Sequence, residues 1–191
     1  MPDFSRYQVI KMVWDFFQNN SAYFTTTGYT SREFSLLSKS NTRFFPCVGG
    51  MGYVSSIGFS YAKSSGLKTI CLDGDGSFLM HLGAVFNVKN HQNVPFLHIL
   101  INNEMHQSVG GFEIAAKEID FTLLSQAAGY AVSLQILTLE QLNSAFEKFD
   151  KNPVTTFLHI QVNSEVENNL PRVSEFTMLI ERFLESKNVQ S

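Results

Sequence analysis

The run Phe96-Leu97-His98-Ile99-Leu100-Ile101 carries no charge and does not alternate apolar with polar. It is too short for a helix, so it reads as a strand covered on both faces, and such strands belong to parallel sheets whose crossover helices hide both sides. Residues 69–72 have the same character. Around these two, helical and extended patterns alternate from end to end. Helices are expected over 7–17, 32–37, 53–62, 78–88, 121–127 and 139–149, and strands over 22–26, 44–48, 130–136 and 156–162. Thr138 with Gln141 has the spacing of a capping box at the start of helix 139–149. A last helix is expected to start near Pro171, where a missing N–H costs nothing, and to run through Phe176, Leu179, Ile180 and Phe183. The fold class that follows is α/β: a three-layer, doubly wound, mainly parallel sheet with helices on both faces, forming a single domain over 1–191.

Composition narrows the function. Charged side chains make up 16% of the 191 residues, against about 25% in an ordinary soluble domain. The net charge of −3 supplies no basic field, so nucleic acid is set aside as a partner. Cys47 and Cys71 stand apart with no C-x-x-C pair, which excludes a zinc ribbon, an iron–sulfur cluster and a disulfide framework. Asp3, Arg6, Lys11 and Asp15 interrupt the apolar residues of the N-terminal stretch, and no stretch approaches the roughly 18 apolar residues of a membrane span. A cytoplasmic protein without a membrane anchor is expected. Depletion of charge is the mark of interface cores. It is expected to concentrate on residues 51–62 and 81–88, where small and apolar residues dominate.

In doubly wound sheets ligands bind beyond the carboxyl ends of the strands. The richest turn there is Leu72-Asp73-Gly74-Asp75-Gly76-Ser77, a buried strand that ends in two glycines around an aspartate before a helix. Free backbone N–H groups at such a turn favour an anion. Asp75 among them would repel a phosphate unless a divalent cation lay between, which points to a Mg-diphosphate site. The strand 96–101 ends in Asn102-Asn103-Glu104-Met105, with Asn103 lying 28 residues after Asp75. One strand-helix-strand unit brings two such ends side by side. The Asp75 carboxylate, the Asn103 amide oxygen and a backbone carbonyl just beyond it can take three positions of an octahedron.

Gly74-Asp75-Gly76-Ser77 followed by Asn102-Asn103 resembles the cofactor motif of thiamine diphosphate enzymes, and the likeness extends over essentially the whole chain as their diphosphate-binding domain. The resemblance implies Mg2+ ligands Asp75, Asn103 and the Met105 carbonyl. Gly49-Gly50-Met51-Gly52 is similar to the family's Gly-x-(Met/Ile)-Gly, which implies that Gly49 meets the cofactor's amino group and that Met51 props the bent cofactor. Thr26-Thr27-Gly28-Tyr29-Thr30-Ser31-Arg32-Glu33, Met80-His81-Leu82-Gly83-Ala84 and His106-Gln107-Ser108-Val109-Gly110-Gly111 resemble signatures of the phosphonopyruvate and sulfopyruvate decarboxylases. The cofactor-binding residues implied are Gly28, Tyr29, Thr30, Gly49, Met51, Gly74, Asp75, Gly76, Ser77, Asn103 and Met105. Substrate-side donors are expected from His106, Ser108 and the Gly110-Gly111 backbone, together with Arg32. His81, His91, His98 and His159 have no ligand spacing and read as structural or solvated.

That resemblance implies a carboxy-lyase acting on a 2-oxo acid with a phosphonate or sulfonate at carbon 3. Other readings are a carboligase subunit of the acetolactate synthase kind and a non-catalytic assembly subunit that retains the fold. Thiamine enzymes also need a Glu from a separate pyrimidine-binding domain. Glu33, Glu104 and Glu113 sit in diphosphate-side motifs, and no stretch of this chain matches that domain. A partner chain carrying the activating Glu is therefore expected, in a hetero-oligomer such as α2β2.

Overall fold

The structure, a computed structural model, describes residues 4–38, 42–165, 170–174 and 176–185. In chain order the elements are α1 (Arg6–Phe17), β1 (Ala22–Thr26), α2 (Tyr29–Leu37), β2 (Arg43–Cys47), α3 (Val54–Ser65), β3 (Thr69–Gly74) and α4 (Asp75–Met80). There follow β4 (Phe96–Asn102), the short strands β5 (Met105–His106) and β6 (Phe112–Glu113), α5 (Phe121–Ala128), β7 (Val132–Ile136), α6 (Leu139–Lys151), β8 (Thr156–Gln161) and α7 (Phe176–Glu185). Six strands form one sheet in the order β2-β1-β3-β4-β8-β7, parallel at every pairing.

All of β4 is buried, as its uninterrupted apolar run requires, and its alternate residues face two separate cores. On one side Leu97 and Ile99 join Val13 and Phe17 of α1, Phe34 of α2 and Phe146 of α6. On the other, Phe96 and Leu100 join Phe59 of α3, Phe78 of α4 and Phe121 of α5. Each fully buried Phe contributes about 1.5–3 kcal/mol of transfer free energy, so the two cores make the sheet a rigid platform for the loops at its carboxyl edge. A complete capping box starts α1: the Ser5 hydroxyl accepts from the Gln8 N–H and the Gln8 side chain accepts from the Ser5 N–H. This fixes Arg6 as the first helical residue.

Three expectations shift. The helix expected over 78–88 is broken at His81 (φ −133°, ψ 52°), with α-helix through Met80 and 3-10 geometry over Leu82–Val88; Gly83 lowers the cost of leaving the α conformation. The last helix starts at Phe176, because the described residues 170–174 around Pro171 are irregular. At α6 the box is half formed: Thr138 Oγ1 accepts from the Gln141 N–H, but Gln141 reaches one residue further back, to the Leu137 N–H.

Candidate cofactor and metal site

From β1 the chain moves outward to β2, then returns to lay β3 on the other side of β1. The crevice at the carboxyl ends of β1 and β3 is thus the point where strand order reverses, the usual ligand position in such sheets. A cleft opens there, lined by Thr26, Thr27, Tyr29 and Thr30 beyond β1, by residues 74–77 beyond β3, and by Asn103, Met105, His106 and Ser108 beyond β4. A second cavity adjoins it and shares Thr27, Met51 and Ser108; Gly28, Arg32 and Arg172 also line it.

Asp75 is 3% exposed. Its Oδ1 accepts from the Gly76 N–H at 2.7 Å, and its Oδ2 accepts from the N–H groups of Asn103 at 3.1 Å and Glu104 at 2.6 Å. Burial pushes its carboxyl up to about 6 against the opposing pull of these three N–H bonds and of nearby His106. No Lys or Arg forms an ion pair with it among the described residues. A buried carboxylate that accepts from three N–H groups and meets no Lys or Arg, in a cleft that Asn103 and Met105 also line, offers oxygen donors of the kind a hard divalent cation takes. Among the described residues no group of three or more His, Cys, Asp or Glu could hold a metal, so a transition-metal cluster is not the alternative. The residues present fit Mg2+ and a diphosphate.

Glycines bring the loops together. A Cβ on Gly76 would fall inside the van der Waals surface of the His106 ring, so the second glycine of Gly74-Asp75-Gly76 gives His106 its place. Gly52, at φ +88°, meets His81 in the same way and donates its N–H to Ser77 Oγ at 3.0 Å, which ties the loop of Met51 to the turn after β3. Gly28 abuts Ser108, joining the turns after β1 and β4. Gly76→Ala is expected to lower stability by about 1–3 kcal/mol through overpacking, read from urea denaturation, with the His106 ring resonances shifted in the same variant.

The structure therefore gathers Tyr29, Thr30, Met51, Gly74, Asp75, Gly76, Ser77, Asn103, Met105, His106 and Ser108 around one cleft, with Gly28 and Arg32 in the adjoining cavity. Gly49 stands apart: it is exposed, nothing lies within 4 Å of a Cβ built on it, and it lines neither cavity. Gly110 and Gly111 line neither. Arg6 and Arg172 are lining residues outside the sequence motifs, and Gln107 is one that lies inside a motif which implied no role for it.

Two histidines read as structural are held by protein groups. His98, fully buried, has Nδ1 2.8 Å from the Tyr130 hydroxyl and Nε2 3.5 Å from Asp73. His159 faces the Asn102 amide at 3.1 Å, and burial pulls its pKa down, which favours the neutral ring as acceptor. Asn102 in turn accepts from the Glu104 N–H at 3.0 Å. That bond helps hold Glu104 at φ +59°, so the first Asn of the pair shapes the loop that the second presents.

The sequence matches the family described as thiamine pyrophosphate enzyme, C-terminal TPP binding domain, over residues 26–160. It is 30% identical over 142 residues to a phosphonopyruvate decarboxylase of Streptomyces hygroscopicus, covering 74% of this chain and 35% of that one. It is 29% identical over 143 residues to the sulfopyruvate decarboxylase subunit beta of Methanococcus maripaludis, covering 75% of this chain and 76% of that one. The chain thus spans about a third of the phosphonopyruvate decarboxylase and about three quarters of the β subunit. In fold it is similar to the benzoylformate decarboxylase of Polynucleobacter necessarius, with a TM-score of 0.68 at 17% identity over 84% of this chain and 33% of that one. With the motif residues gathered at the carboxyl ends of the strands and the family model matched over residues 26–160, this chain belongs to the thiamine pyrophosphate enzymes, as their C-terminal, thiamine diphosphate-binding domain.

Proposed function

We propose that this chain is the diphosphate-binding, β-type subunit of a thiamine diphosphate- and Mg2+-dependent decarboxylase acting on a 2-oxo acid with a phosphonate or sulfonate at carbon 3. The observation that carries the reading is the pairing of Asp75 with Asn103 across the β3–β4 strand ends, in a chain that aligns with sulfopyruvate decarboxylase β subunits over three quarters of both lengths. Asp75, the Asn103 amide oxygen and the Met105 carbonyl would hold Mg2+, and Met51, which lines both cavities, would support the cofactor. When bound, thiamine diphosphate supplies the electron sink that a 2-oxo acid lacks as CO2 leaves. The chain's own part is to bind and orient. Arg32 and Arg172 line the cavity beside the cleft and, among the described residues, no acidic side chain does, so a substrate with a second anion is favoured there over pyruvate. Ser108 adds a donor to the same cavity, and His106 adds one in the adjoining cleft.

Asp75 is the one carboxylate lining the two cavities among the described residues. Glu33 is 1% exposed and held by Arg6, Glu104 accepts from Gln161, and Glu113 is near Lys117 on the surface. The activating Glu is accordingly assigned to a partner pyrimidine-binding subunit, in an assembly such as α2β2. Cytoplasmic location is part of the same reading, supported by two buried, unbridged cysteines, Cys47 and Cys71, and by the absence among the described residues of a helix long and apolar enough to cross a membrane.

The test is CO2 release by the chain co-purified with its partner on phosphonopyruvate, sulfopyruvate and pyruvate. The expected result is at least about a hundredfold preference in kcat/KM for one of the two dianionic substrates, on the order of one or two charge-assisted hydrogen bonds. A preference for pyruvate with carbon–carbon joining would identify a carboligase instead. Cofactor binding without turnover would identify an assembly subunit.

A further inference from the structure

A side-chain amide has a donor end and an acceptor end of nearly equal size, and only the oxygen can ligate a cation. Asn103 free to rotate would present either. Its surroundings remove the choice, beginning with a charge on another helix. Arg6, 6% exposed, opens α1, and its Nε and Nη2 donate to the two Glu33 oxygens at 2.8 and 2.7 Å. The pair leaves Nη1 aimed at Gln107 Oε1, 2.6 Å away. Tyr29 packs its ring against the same guanidinium, with Cζ 5.2 Å from the ring centroid, which further limits where Arg6 can point.

A guanidinium has donors only, so the atom it meets on Gln107 must be the oxygen. The Gln107 nitrogen falls on the Ser164 carbonyl, which can only accept, so both ends of Gln107 agree. The same Gln107 oxygen lies 2.9 Å from Asn103 Nδ2. Having no proton to give, it obliges Asn103 to turn its nitrogen inward. Asn103 Oδ1 is left with one partner among the described residues, a long 3.3 Å bond from the Met105 N–H.

We propose that Arg6 and Gln107 are positioning residues that fix the Asn103 amide with its oxygen toward the cation. The assignment rests on the metal-site reading above. Polarity is passed in one direction: the Glu33 carboxylate orders Arg6, Arg6 orders Gln107, and Gln107 orders Asn103. The relay joins α1, α2 and the loop after β4, so Arg6 and Glu33, far from Asn103 in sequence, act on it through Gln107, four residues away.

The experiment is Mn2+ titration followed by electron paramagnetic resonance, with thiamine diphosphate present, on the protein assembled with its partner. Gln107→Met keeps length and removes both polar ends; Mn2+ affinity is expected to fall about 10- to 100-fold, the usual scale for a partner of a metal ligand. Gln107→Glu keeps an acceptor for both Arg6 and Asn103 while giving up the donor to the Ser164 carbonyl, and is expected to bind Mn2+ more tightly than Gln107→Met. Far-ultraviolet circular dichroism and melting temperature check that both variants fold. Wild-type affinity in folded Gln107→Met overturns the relay, as does a loss in Gln107→Glu equal to that in Gln107→Met. Failure of the wild-type protein to bind Mn2+ overturns the metal-site reading itself.

Discussion

Asp75→Ala is expected to weaken Mg2+-dependent binding of thiamine diphosphate by at least about a hundredfold, the scale set by the roughly 3–5 kcal/mol lost when one member of a buried charge pair is removed. Isothermal titration calorimetry with and without Mg2+ measures it, and retention of Mg2+-dependent binding would refute the assignment. The same residue gives an effect of opposite sign in the cofactor-free protein. Its folded carboxyl value of about 6 lies above the ordinary 3.8 because burial disfavours the charge. An acid whose value is raised on folding adds no penalty below its unfolded value, and its full penalty is present above its folded one. A difference of about two units corresponds to about 3 kcal/mol. The stability of Asp75→Ala relative to wild type should therefore rise by about that amount between pH 4 and pH 7, read as the difference between two urea denaturation series. Cofactor affinity in the wild type should fall about tenfold per unit of pH below 6, as protons compete with the cation. A stability difference that is flat across this range would mean that Asp75 does not carry a desolvation cost in the folded chain.

The parts of this design that follow chain order were readable from the residues. The uncharged run 96–101 announces a doubly covered strand, and Gly74-Asp75-Gly76-Ser77 with Asn102-Asn103 marks two strand ends that a parallel sheet must place together. Asp75 and Asn103 are adjacent because β3 and β4 pair in register through Gly74 and Ile101. What escaped depends on contacts between distant segments. Arg6 looks like an ordinary charge in an amphipathic helix, since nothing local shows that α1 will set it against Glu33. Gln107 reads as one polar residue in a loop until its oxygen is shared between Arg6 and Asn103. The break at His81 was hidden because residues 78–88 keep helical spacing, and it is the packing of the His81 ring against Gly52 that marks where the helix gives way.

If the proposed function holds, replacing Ile57 and Phe86 together by Asp is expected to weaken assembly with the partner subunit strongly, and to lower decarboxylation with it. Residues 51–62 and 76–88 contain no Asp, Glu, Lys or Arg. In the folded chain Tyr53, Ile57, Met80 and Phe86 are 48, 38, 55 and 49% exposed. They are not scattered: the Asn87 side chain donates to Ser56 Oγ at 3.0 Å, and the Tyr53 ring stacks on His81 at 4.1 Å, so α3 and the 3-10 segment Leu82–Val88 present one apolar face. Residues of this kind left on one face mark a contact surface, and two uncharged stretches of the chain meet there. Tyr53, at one end of this face, follows Met51 by two residues, and Met51 lines both cavities, so under the proposed function a subunit seated on the face would lie near the cleft. Burying an Ile and a Phe contributes about 1.5–3 kcal/mol each. Losing both and desolvating two carboxylates should weaken association by at least about a hundredfold, measured by sedimentation. Both side chains are substantially exposed, so the isolated double variant should keep its circular dichroism and melting temperature. Unchanged sedimentation of the mixture would place the partner on another face and leave the low charge of α3 unexplained.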